Sequence, residues 1–144
     1  MAEAILRQWG DSRFNAYSAG SRPAGSVNPF ALELLQEKSM PIDSLRSKSW
    51  NEFAHAGAPQ MDIILTVCDN AAGETCPVWP GHPVTAHWGI PDPAAVEGTT
   101  QQKRQAFADA FDRLAALIRQ LLALPDYRFE RGALQNDLRS IAQS

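Results

Sequence analysis

The chain has 144 residues, 44% of them hydrophobic and 20% charged, with a formal net charge of −3. That is the composition of one globular domain large enough to bury a core, and its charge favours neither a nucleic-acid nor a membrane partner. No apolar run approaches the length of a transmembrane helix and the N-terminus lacks the pattern of a signal peptide, so a cytoplasmic protein with reduced thiols is expected.

Residues 2–9 are good helix formers, with Ala4, Ile5 and Trp9 as apolar points and Gly10 as a stop. No capping residue precedes this helix. FNAYSAG (14–20) alternates and ends on a turn glycine, which predicts a strand. Asn28 and Pro29 form an N-cap followed by an N1 proline, opening a helix to about Glu37 that buries Ala31, Leu34 and Leu35. MDIILTVC (61–68) is a continuous apolar run of strand length, as in a parallel strand covered on both faces. VTAHWGI (84–90) reads as another strand and PDPAAVEG as a loop. Thr99 and Gln102 make a capping box for a long amphipathic helix, whose stripe runs from Phe107 to Leu122 before Pro125. A last helix over 131–142 carries Leu134, Leu138 and Ile141 on one face. Alternation of this kind predicts an α/β fold with a mostly parallel sheet, whose chemistry gathers at the carboxyl ends of the strands. Cys68 ends one strand and Asp92 follows another.

The chain's only cysteines, Cys68 and Cys76, share the loop TVCDNAAGETCPVWPG with seven residues between them. A flexible loop containing Gly73 lets such a pair close as a redox disulfide. On spacing alone, two incidental thiols explain the pattern slightly better. Cys68, Cys76, His82 and His87 are too loosely spaced and too interrupted by prolines for a structural zinc site, so no metal and no cofactor are expected. Asp92, between Pro91 and Pro93, is either a fixed general acid or a turn-forming residue. Ser47, Lys48 and Ser49 either bind an anion or cap a turn. His55 has no partner evident in sequence and reads as surface.

Taken together, YSAGS (17–21), VNPFALELL (27–35), LRSKSW (45–50), TVCDNAAGETCPVWPG (66–81) and HWGIPDPAAVEG (87–98) closely resemble arsenate reductases of the low-molecular-weight tyrosine phosphatase-like family. The resemblance runs from Met1 to about Leu124, leaving 125–144 as an extension with a short helix on a single domain, 1–144. It implies a three-layer, mostly parallel twisted sheet flanked by helices, and reduction of arsenate to arsenite in arsenic detoxification. Cys68 and Cys76 match the family's two downstream redox cysteines: Cys68 attacks the thiol–arsenate adduct, and Cys76 resolves to a disulfide. A thiol reductant such as thioredoxin, or glutaredoxin with glutathione, is the implied partner. Asp92 matches the family's Asp-Pro general acid. Glu3, Ser18 and Lys48 match positions that support the family's anion loop, with an expected Glu3–Lys48 ion pair.

One departure accompanies the match. The family's nucleophile lies in a Cys-x5-Arg-[Ser/Thr] loop, where a helix N-terminus lowers the thiol pKa and backbone N–H groups cradle the oxyanion. Neither Cys68 nor Cys76 stands in such a motif. The written chain is therefore expected to be N-terminally short, an internal Met having been taken as the start, and to be inactive alone. The absent strand would lie between FNAYSAG and MDIILTVC, leaving apolar edges open to swapping or aggregation. A phosphotyrosine-type phosphatase and a non-catalytic remnant or binding module are the alternatives. The cysteine pair argues against the phosphatase, because phosphoester hydrolysis needs no resolving thiols.

Overall fold

The computed structural model describes residues 1–10, 13–21, 23, 25–68 and 79–143, with backbone only at Cys68, Tyr127 and Arg131. Among the described residues, four α-helices and two parallel strands form the frame: α1 (Ala2–Gly10), α2 (Pro29–Glu37), β1 (Ile63–Cys68), β2 (Val84–Ile90), α3 (Thr100–Leu122) and α4 (Arg131–Ala142). Among the described residues, short 3-10 turns occupy Trp50–Phe53, Pro93–Ala95 and Asp126–Arg128.

The helix signals in the sequence act as expected. Asn28 Oδ1 accepts the Phe30 N–H at 2.9 Å, with proline in the first turn of α2. At α3 the capping box is complete: Thr99 Oγ1 accepts from Gln102 N at 3.1 Å, and Gln102 Oε1 accepts from Thr99 N at 2.8 Å. Two donors that the helix ladder cannot satisfy are thereby satisfied.

The central element is α3. Phe107, Ala110, Phe111, Leu114, Ala115, Leu117, Ile118 and Leu121 are buried along it, a stripe that packs against α1, α2 and α4. Burying each of the larger side chains contributes about 1.5–3 kcal/mol. α4 closes over β2 through Leu134, Leu138 and Ile141. Trp88 Nε1 donates to the Leu138 carbonyl at 3.3 Å across that contact, so the indole is buried without stranding its N–H.

In the sheet, Ile63 stands opposite Val84 and Thr66 opposite His87, but Cys68 stands opposite Ile90. Two steps along β1 therefore match three along β2. The extra residue is accommodated where Gly89 takes φ +41°, in the left-handed region that costs glycine least.

Two expectations need correction. Residues 14–20 do not form a strand: the described part of that segment is extended, and its ladder is a single parallel bridge between Gly20 and Ser49. Alternation makes a segment able to pair, but a strand exists only where a neighbour supplies hydrogen bonds. Here Gly20 N reaches Lys48 O and Trp50 N reaches Gly20 O, both at 3.0 Å, whereas Ala16 O is taken by the Arg7 side chain at 3.2 Å. The second correction concerns β1, which was expected to be covered on both faces. Ile63, Leu65 and Val67 pack on the core but stay half-buried, as does Ile64. Among the described residues β1 has β2 as its one neighbour.

Candidate functional site

The sequence-predicted residues fall into two groups. The first sits at the carboxyl end of the sheet. Cys68 closes β1 opposite Ile90, the last residue of β2, and Asp92 follows two residues later. Asp92 is exposed, and its Oδ1 accepts the Ala94 N–H at 3.0 Å, capping the 3-10 turn Pro93–Ala95. A carboxylate fixed this way is also a positioned one, so the turn-forming and acid readings describe compatible properties of the same side chain. Cys76 lies outside the described residues.

The second group is built by α1, the extended segment after it, and the LRSKSW segment. Glu3 faces inward from the first turn of α1 with its side chain 3% exposed, and Lys48 reaches it from the opposite side at 5% exposure. Lys48 Nζ stands 3.6 Å from Glu3 Oε1. Ser18 Oγ donates to the same oxygen at 3.3 Å, and Arg7, one turn along α1, approaches it to 3.8 Å. The three anion-loop positions anticipated from sequence are thus one cluster. Burial makes this pair unlike a surface salt bridge: both charges are desolvated, and each depends on the other.

The flanking serines both accept backbone N–H groups, and Ser49 caps the 3-10 turn Trp50–Phe53. Ser49 Oγ accepts from Asn51 N at 3.2 Å and Ser47 Oγ from Gly25 N at 3.3 Å. Lys48 Nζ donates to the Arg46 carbonyl at 3.2 Å.

Sequence reasoning missed the surroundings of this cluster. Arg7, Arg46, Glu52 and His55 join Glu3 and Lys48 around a cavity of about 320 Å³. Arg46 grips Glu52 through two hydrogen bonds of 2.8 and 2.7 Å, and these hold the Glu52 carboxyl below its ordinary pKa. His55, read from sequence as surface, is exposed but lies on the cavity wall. Arg7 was findable in principle, since it stands one helical turn after Glu3. His55 was not, because only the folded loop brings it here. Beyond the cluster, Trp50 meets Trp79 edge-on at 6.3 Å, which ties the end of the LRSKSW segment to the residues following the second cysteine.

The order of these parts along the chain, and their placement around a parallel strand end, can be compared with known proteins. The profile of the low molecular weight phosphotyrosine protein phosphatase family matches residues 1–137. The chain belongs to that family. The match reaches into α4. Among curated relatives, the arsenate reductase of Shouchella clausii is 31% identical over 120 residues, covering 83% of this chain and 82% of that protein. The arsenate reductase of Bacillus subtilis is 32% identical over 114 residues, covering 79% of this chain and 78% of that protein. Among solved structures, the arsenate reductase from Archaeoglobus fulgidus superposes with a TM-score of 0.57 at 25% identity, over 82% of this chain and 87% of that one. A thioredoxin-dependent arsenate reductase from Corynebacterium glutamicum gives a TM-score of 0.56 at 24% identity over 82% of this chain, which spans 52% of that structure. These neighbours share the α/β fold with its parallel sheet. No helix among the described residues is long and apolar enough to cross a membrane.

Proposed function

We propose that this family member is an arsenate reductase in which Cys68 and Cys76 carry oxidation away from arsenic. The overall reaction consumes arsenate and two thiols and yields arsenite, a disulfide and water: arsenic gains the two electrons that the sulfurs lose. A first thiol condenses with arsenate, releasing water, and Asp92 donates the proton that the departing oxygen needs. The Cys68 thiolate then attacks the sulfur of the thiol–arsenate adduct. The S–As bond breaks, its electron pair stays on arsenic, and arsenite leaves. Cys76 attacks the resulting mixed disulfide, freeing the first thiol and closing a Cys68–Cys76 disulfide. A dithiol reductant of the thioredoxin class, or glutaredoxin with glutathione, returns the pair to its reduced state.

The observation that carries this reading is the 31% identity to an arsenate reductase over 83% of the chain, with Cys68 closing β1 at the end of a parallel strand pair. Neither cysteine of these 144 residues is followed by arginine at the sixth position. The first thiol is therefore supplied by another cysteine-bearing segment or a small thiol, and the written chain by itself does not turn over. Glu3, Ser18 and Lys48 act as a support for the anion-binding backbone rather than as reacting groups.

Counting free thiols before and after adding arsenate with a small thiol tests the relay. Loss of two protein thiols per arsenite formed is expected, and loss of none refutes it. In a form that also carries the first thiol, Cys76→Ser should stop multiple turnover while still releasing one equivalent of arsenite. Unchanged turnover in that variant would remove Cys76 from the mechanism.

A further inference from the structure

Thr66 and His87 form a polar side-chain pair on the sheet, one step of strand alternation before Cys68. Thr66 Oγ1 and His87 Nδ1 lie 2.7 Å apart, at directly opposite positions of β1 and β2. Ile63, Leu65 and Val67 pack on the core, so alternation puts Ile64 and Thr66 on the other face of β1. Cys68, two residues on, is the next position of that face. On β2 the irregular step between this pair and the Cys68–Ile90 pair contains Gly89, which is exposed and adds no side chain there. A histidine ring held in place thus stands on the sheet face that leads to the cysteine.

The pairing suits a group that changes charge. A threonine hydroxyl both donates and accepts. It donates to Nδ1 of a neutral imidazole and accepts from the Nδ1–H of a protonated one, so the bond persists in either state and fixes the ring. An imidazole tied at Nδ1 exchanges its proton at Nε2. The Cys68 step of the relay needs such an exchange, because the thiolate and not the thiol attacks sulfur. Gln135 of α4 reaches β2 at the Thr85 carbonyl and carries no charge, and His82 precedes β2 at the opposite end of the strands. Asp69 and Asp92 follow the two strands in the sequence. Carboxylates at that end oppose a lone thiolate and favour an imidazolium, so a thiolate there calls for a cationic partner.

We infer that His87, oriented by Thr66, takes the Cys68 thiol proton on Nε2 and holds the resulting thiolate as an ion pair, ready to attack the thiol–arsenate adduct. The proton moves from sulfur to nitrogen, the net charge of the pair is unchanged, and Thr66 turns from donor to acceptor. His87 is the catalytic group of this transfer and Thr66 a positioning residue. The inference deepens the proposed function and rests on it for what the thiolate attacks; the ion pair itself is read without arsenate.

The test uses the 144-residue chain carrying Cys76→Ser, in which Cys68 is the sole thiol. Its alkylation by iodoacetamide is followed from pH 5 to 9.5. Half-maximal reactivity is expected at least about one pH unit below that of an ordinary cysteine. Adding His87→Gln should return the profile to the ordinary range and slow alkylation at pH 6.5 by about 5-fold. Thr66→Val should shift the profile the same way by less, and Thr66→Ser, which keeps the hydroxyl, should leave it unchanged. The reciprocal measurement is an NMR titration of the His87 imidazole, whose midpoint should lie higher with Cys68 present than in Cys68→Ser. Superimposable alkylation profiles with and without His87 overturn the inference. So does an imidazole that titrates identically in Cys68→Ser, and this second result decides the matter if His87→Gln does not fold. An ion pair found by both measurements, together with no thiol loss on adding arsenate and a small thiol, would refute the proposed function and leave the pair standing.

Discussion

The two strands of the sheet have similar composition and opposite fates. β2 buries Val84, Trp88 and Ile90 to 6%, 3% and 5% exposure, whereas none of Ile63, Ile64, Leu65 or Val67 on β1 is fully buried. The difference is not hydrophobicity, since β1 is the more continuously apolar of the two. It is coverage. β2 lies under α4, with the Trp88–Leu138 hydrogen bond and the Gln135 Nε2–Thr85 O hydrogen bond of 2.6 Å fastening the two elements. β1 has the core on one face and, among the described residues, a partner on one edge. Apolar composition makes a strand fit to be buried, and neighbouring elements decide whether it is.

Several measurements would break or sharpen that contrast. The largest effect is expected at the buried pair: Lys48→Met takes away the buried partner of Glu3, leaving it the Ser18 hydroxyl and the half-exposed Arg7 at 3.8 Å, and should cost about 3–5 kcal/mol in urea unfolding. A loss below about 1 kcal/mol would mean that the pair is solvated in solution. On the covered side of the sheet, Leu138→Ala removes a side chain of 0% exposure and should cost about 2–5 kcal/mol. Ile64→Ala, on the half-covered strand, should cost only about 1 kcal/mol. Equal losses at 138 and 64 would show that β1 is as well covered as β2. Amide exchange offers the same comparison without mutation, with β1 expected to exchange faster than β2. Thr99→Ala, which breaks the capping box of α3, should cost about 0.5–2 kcal/mol.

The smallest effect is a pH dependence at the surface. Hydrogen bonds from Arg46 and Arg128 lower the carboxyl pKa values of Glu52 and Asp137 in the folded state. Lowered folded pKa values mean stability that is complete above the ordinary carboxylate range and lost as pH falls through the folded values. Unfolding midpoints should therefore drop between pH 5 and pH 3 by less in Asp137→Asn than in the unmodified chain. An equal drop would remove the Arg128–Asp137 pair from acid stability.

Much of the frame was legible because its determinants are local. Asn28 with Pro29, and Thr99 with Gln102, specify helix starts by side chain–backbone hydrogen bonds within a few residues. The stripes of α3 and α4 specify their buried faces by helical period alone. The strand expected over residues 14–20 failed for the complementary reason: its alternation was real, but pairing is supplied by a second segment, and here that segment meets it only at Gly20.

The site divides in the same way. The resemblance to the family grouped Glu3, Ser18 and Lys48, while the residues themselves marked Asp92 as held between two prolines. It also displayed two cysteines in one loop without deciding between a redox pair and chance. Tertiary structure alone decided that the Glu3–Lys48 pair is buried rather than solvated, that one carboxylate oxygen is left without a donor, and that Arg7 and His55 share its cavity. Desolvation and hydrogen-bond satisfaction depend on every element packed around a group. Residues that meet from positions 3, 7, 48 and 55 carry that information only once the chain has folded.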